Sequence, residues 1–149
     1  MRKPDGAGRL TRAFASFLAV VSLLVLPVTA TATADIETGE RLIMVGHDGP
    51  NYDACASVGQ VHGLTRGGDG FLSVRIAPGT ASKERDRLLN GTRLSLCDAH
   101  EDWYGVVYQK PGDDLVDCGT GTPSAYKGAY RGPCRYGWVH KYFVEHLAG

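Results

Sequence analysis

The sequence predicts a small all-β domain, a barrel or sandwich of short strands, and three observations predict it. From Cys55 onward, short apolar stretches alternate with turn residues, which is the texture of many brief strands. Asn90-Gly91 lies between Leu88-Leu89 and a stretch in which Leu94 and Leu96 alternate with Arg93, Ser95 and Cys97, the pattern of a tight hairpin with one buried face. Four cysteines, Cys55, Cys97, Cys118 and Cys134, are an even number in a small chain and read as two disulfides.

Residues 1–34 stand apart from that domain. Arg2, Lys3, Arg9 and Arg12 precede an uncharged run over residues 13–28, and the small residues of TATATA follow it. This is the three-part layout of a secretory signal peptide. The run is shorter than the roughly 20 apolar residues of a spanning helix, so a cleaved leader is expected, with cleavage after Ala34, and no stable membrane insertion thereafter. Removing the leader leaves 12 Lys and Arg against 15 Asp and Glu, a mildly acidic chain without the basic footprint of a nucleic-acid binder. The expected location is periplasmic or secreted, and the 115 residues that remain suit one domain.

Residues 35–54 are polar apart from Leu42 to Val45, and read as a loose N-terminal extension with at most one edge strand. Val58, Val61 and Leu64 mark a first strand, Phe71 to Ile76 a second, and 77–87 a loop opened by Pro78-Gly79. DAHED at 98–102 reads as a polar turn, and residues 103–109 as another strand. Residues 110–136 carry too many glycines and prolines for regular structure and form an insert. A short strand at 137–140 follows, and residues 141–148 are too few for a helix that is stable without packing. Sequence admits three disulfide connectivities; Cys118 with Cys134, closing the insert, and Cys55 with Cys97 is the favoured one.

FLSVRIAPGT, LLNGTRLSL, EDWYGVVY and GWVHKYFVE, in that order, resemble the motifs of bacterial SH3-like (SH3b) domains. Ser73 stands where that pattern has Asn, and the Cys118 to Cys134 insert lies outside its shortest form. The resemblance implies a small SH3-like barrel over residues 55–149, and a module that recognises cell-wall peptide (peptidoglycan) or an envelope protein.

Catalysis finds no pattern to rest on. Paired cysteines leave no thiol nucleophile, no G-x-S-x-G elbow is present, and the five histidines show no ligand spacing. Asp113-Asp114 and Glu101-Asp102 are adjacent pairs in expected turns, where solvated charge is the ordinary role. The expectation is therefore a non-enzyme without cofactor or metal. Six of the seven tyrosines fall at or after residue 104, and Tyr and Trp suit shallow recognition. A groove between the 77–87 loop, the 98–102 turn and the insert is expected, lined by Tyr104, Tyr126, Tyr130 and Tyr142 with Trp138 as its floor. The other reading is a secreted structural or inhibitory protein that engages a partner through the stapled insert.

Overall fold

The computed structural model describes residues 39–65 and 67–149, so the expected leader lies outside the described residues. The strands are β1 (Met44–Val45), β2 (Ser57–Val61), β3 (Leu72–Arg75), β4 (Glu84–Leu88), β5 (Arg93–His100), β6 (Trp103–Tyr108), β7 (Gly128–Ala129), β8 (Arg135–His140) and β9 (Val144–Ala148). A 3-10 turn, Lys141–Phe143, separates the last two, and no α-helix occurs among the described residues. Seven strands form one antiparallel sheet in the order β4-β3-β8-β6-β5-β2-β9, while β1 and β7 pair separately. The large sheet is not closed: β4 and β9 are its edges. The all-β class and the antiparallel pairing are thus present.

The ladders shift register at Val58/Gly59, Val74/Arg75 and Leu96/Asp98. The inner face gathers Val61, Leu72, Val74, Leu88, Leu94, Leu96, Val106, Tyr108, Val139 and Val144 into one core. Because side chains alternate along a strand, Trp103 and Val107 of β6 and Trp138 of β8 point the other way. They meet a second core with Ile43, Val45, Ala54, Cys55, Cys97, Tyr130 and Cys134. Both faces of β6 are therefore buried, which is why WYGVVY is apolar almost throughout.

An outer layer covers that second face. Segment 43–55 and the insert lace together: Tyr130 N–H donates to the Ile43 carbonyl at 2.8 Å, Ala54 N–H to Thr122 at 3.1 Å, and Cys55 N–H to Thr120 at 3.0 Å. The disulfides Cys55–Cys97 and Cys118–Cys134 form, the pairing favoured from sequence. The first pins the N-terminal segment to β5, and the second ties the two ends of the insert together at the start of β8. Ile43 seats on Gly105, where a Cβ would fall 2.9 Å from its Cδ1, so β6 carries glycine there. Gly46, at φ 78°, lies so near the Tyr126 carbonyl that any side chain would collide with it.

Several expectations need correction. The 35–54 segment is not loose from residue 39 on, since Ile43 is fully buried and Val45 nearly so. Asn90-Gly91 does not close a hairpin, because β4 and β5 are not neighbours; the turn instead carries the chain from an edge strand across to β5. The 77–87 loop contains β4, and β5 runs through DAHED to His100, leaving Glu101 (φ 48°) and Asp102 as the turn. The insert contributes β7, β8 begins at Arg135, and the tail ends as strand β9.

Candidate functional site

A groove of about 360 Å³ opens where four parts of the sheet meet. One wall is the loop between β2 and β3, with Leu64 and Phe71; the opposite side holds Trp103 from the start of β6, His140 from the end of β8, and Phe143. Trp103 and His140 are register partners, and their rings meet edge-on with centroids 5.4 Å apart. Phe143 stands edge-on to His140 at 6.4 Å. His140 Nδ1 accepts the Tyr142 N–H at 3.2 Å and so caps the 3-10 turn that carries Phe143.

The loop wall is anchored at three points. His62 N–H donates to the Phe143 carbonyl at 3.0 Å, and the Asn90 side chain holds Leu64. Phe71 lies under the Arg87 guanidinium, 4.1 Å from its ring centroid. Polar groups come from β3: Arg75 donates to the Ser82 carbonyl at 2.6 Å, and the Ser73 hydroxyl bonds the Glu84 carboxylate at 2.5 Å. That hydroxyl, with Arg87 beside it, holds the Glu84 carboxyl below its usual range. An anchored cleft with apolar rings and a few placed polar groups is the ordinary form of a non-covalent binding site.

The five aromatic residues expected to line one groove do not come together. Trp138 is fully buried; its Nε1–H donates to the Arg41 carbonyl at 2.7 Å and the Arg41 guanidinium covers its ring, so it is core and not a floor. Tyr130 is also core, its hydroxyl donating to the Cys118 carbonyl at 3.0 Å and accepting the Cys134 N–H at 3.2 Å. Tyr126, which precedes β7, folds back on that strand, donating to the Ala129 carbonyl at 2.9 Å. Tyr104 bonds His146 Nε2 at 2.7 Å and lines a different hollow of about 380 Å³, with His47, Asp48 and Asp98. Tyr142 is three-quarters exposed and touches Phe143, outside the groove lining.

No family model, curated protein or solved structure matches this chain. Among the described residues no three His, Cys, Asp or Glu side chains gather as a metal would require. A cluster of ion pairs joins Asp86 with Lys110 at 2.6 Å and Arg135 at 3.2 Å, and Asp113 with Arg135 at 2.9 Å. Tyr108 donates to Asp86 at 3.3 Å, and its burial, with that carboxylate beside it, raises the phenol well above its ordinary value. The cluster ties the β4 edge to the ends of β6 and β8, and Asp113, expected as solvated turn charge, is paired within it.

Nothing local in the sequence groups Phe71, Trp103, His140 and Phe143. Trp103 and His140 belong to the motifs that resemble SH3b domains, but their apposition needs the β6–β8 register. Phe71 and Phe143 carry no local signal that separates a groove wall from a core position.

Proposed function

We propose that this protein is a non-catalytic binding module of the cell envelope, built on an SH3-like barrel, whose groove takes cell-wall peptide. The observation that carries the reading is the convergence of Phe71, Trp103, His140 and Phe143 on one anchored cleft with Arg75 and Ser73 beside them. Aromatic rings offer large apolar area at low entropic cost, and neighbouring polar groups orient an extended peptide. The antiparallel all-β sheet and the order of the sequence motifs support the SH3-like reading. Two disulfides suit an oxidising compartment outside the cytoplasm.

The test is co-sedimentation of the purified mature protein with isolated sacculi, followed by titration with the soluble muropeptides released from them. The native protein pellets, and Phe71→Ala weakens binding about tenfold, equivalent to about 1.4 kcal/mol. Tyr126→Ala, which touches none of the groove, leaves binding unchanged. If the native protein stays in the supernatant, or Phe71→Ala pellets equally well, the reading falls. Release of soluble wall fragments by the protein itself would replace binding with catalysis.

A further inference from the structure

Phe71, just before β3, and Ser73 and Arg75 within it fall at alternate positions, and all three line the aromatic groove. Arg75 is half-buried there, and its register partner on β4 is Glu84, an opposite charge directly across the ladder. The two do not pair. Glu84 accepts instead from the Ser73 hydroxyl at 2.5 Å and from Arg87 Nε, on its own strand, at 2.6 Å. Arg75 donates from Nη1 to the Ser82 carbonyl at 2.6 Å and has no ion-pair partner among the described residues. A guanidinium carries five N–H donors in a planar fork, so most of those on Arg75 are left for another acceptor. A half-buried charge has lost part of its hydration, and a carboxylate that returns two parallel bonds is the partner best matched to the fork.

The remaining charges at the groove leave Arg75 as the group that answers an anion. Arg87 lies over the Phe71 ring and is held by Glu84. Asp69, in the loop before Phe71, is exposed and also lacks an ion-pair partner among the described residues. No Lys or Glu belongs to the lining among the described residues, so its formal charges are Asp69 on one side of Phe71 and Arg75 on the other. The acidic end of a ligand is thus drawn to Arg75 and away from Asp69. His140 adds a donor: its Nδ1 accepts the Tyr142 N–H, which leaves the ring proton on Nε2. Arg75 is also the last residue of β3, and the turn after it supplies Thr80 to the lining and the Ser82 carbonyl to the guanidinium. A peptide laid along the strand from Phe71 meets that turn at Arg75, where its chain has to end or bend away.

We infer that Arg75 receives the free C-terminal carboxylate of the peptide that occupies the groove, and so makes the site selective for an uncapped peptide end. This rests on the groove taking cell-wall peptide, and adds which end of that peptide is read. The step is binding alone: the carboxylate accepts from the guanidinium fork, and no bond is made or broken in the ligand.

A synthetic cell-wall stem pentapeptide ending in D-Ala-D-Ala, titrated into the purified mature protein as its C-terminal acid and as its C-terminal amide, tests it. The native protein is expected to bind the acid about tenfold more tightly, since the amide cannot form the charge-assisted pair. In Arg75→Gln the ratio falls to about one, and Arg75→Lys, which keeps the charge without the fork, retains part of it. Amidating only the internal glutamyl carboxyl leaves affinity unchanged, and Arg93→Gln, at an exposed arginine outside the groove, keeps the native ratio. Each ratio compares two peptides on one variant, so any loss of folded protein cancels from it. Equal affinity of the native protein for acid and amide, a ratio that survives Arg75→Gln, or a loss produced by internal amidation alone would each overturn the inference. If the protein still pellets with sacculi in those cases, the peptide reading of the groove stands without it. Failure to bind either peptide also overturns the inference, and takes the groove reading with it when the protein stays in the supernatant.

Discussion

Asn90 Nδ2 donates to the Leu64 carbonyl at 2.9 Å while its Oδ1 accepts the Leu64 N–H at 3.1 Å, so one side chain stands in for a strand partner. Alongside it, Gly91 N–H donates to the Val61 carbonyl at 2.7 Å, and Val61 N–H to Thr92 at 2.9 Å. The crossing turn thereby continues the ladder of β2 past its end and fixes the loop that walls the groove.

Replacing Asn90 by Ala removes both bonds and is expected to lower stability by about 1–3 kcal/mol, read as the urea midpoint. Asn90→Asp keeps an acceptor for the Leu64 N–H but sets a carboxylate against the Leu64 carbonyl, and is expected to fall between Ala and native. The same bonds protect an Asn-Gly pair, since the Gly91 nitrogen that would attack the Asn90 amide is engaged. Intact-mass measurement after incubation should show a one-dalton gain at Asn90 in denatured protein well before it appears in native protein.

Gly105→Ala places a methyl 2.7 Å from the Asp98 Cβ and 2.9 Å from the Ile43 Cδ1. Overpacking of this kind costs about 1–3 kcal/mol. Ile43→Ala alone costs about 2–5 kcal/mol through the cavity it leaves. The two touch, so the double variant should be more stable than the sum of the single losses implies. Additive losses by chemical denaturation would mean that Ile43 does not seat on Gly105.

Removing the disulfides separately should rank them. Cys55 and Cys97 are 42 residues apart and Cys118 and Cys134 are 16 apart, for which loop closure alone gives about 4 and about 3 kcal/mol. Paired Ala variants compared by urea denaturation should follow that order. Loss of the first should also free segment 43–55, seen as faster exchange of the backbone amides at positions 54 and 55.

Acid is expected to weaken the β4 edge. Burial would raise the Asp86 carboxyl, but Lys110, the Arg87 N–H and Arg135 outweigh it and hold it below the ordinary carboxylate value. Arg135 and the Lys110 N–H do the same for Asp113. With folded pKa values below unfolded ones, the unfolded chain takes up protons first. Their contribution is complete above the ordinary carboxylate range near pH 4 and is lost as pH falls through the folded values. Urea midpoints should therefore drop steeply below about pH 4, and Asp86→Asn, already less stable at pH 7, should show a shallower drop.

Periodicity made part of this fold legible and hid the rest for definite reasons. The runs around Val74, Leu94 and Val106 alternate or are wholly apolar, and each is a strand. Strand β4 reads Glu-Arg-Asp-Arg-Leu; its charges guard a sheet edge, so it carries almost no hydrophobic signal. Asn90-Gly91 announced a turn correctly, yet nothing local says whether the strands beside a turn pair with each other. Ile43 sits in a four-residue apolar run within a polar segment, too short to mark a core position, and its burial depends on an insert that lies far beyond any local window of sequence. The same distance effect hid the groove, whose rings come from four elements. Tyrosine density pointed instead to Tyr130, whose hydroxyl turned out to bridge the two ends of the insert.

The four cysteines are divided unevenly between the two cores. None of the four cysteines belongs to the inner core around Val74, Val106 and Val139. The crosslinks therefore brace the covering layer of segment 43–55 and the insert, while that interior is held by apolar packing and strand pairing that a change of redox conditions does not touch directly.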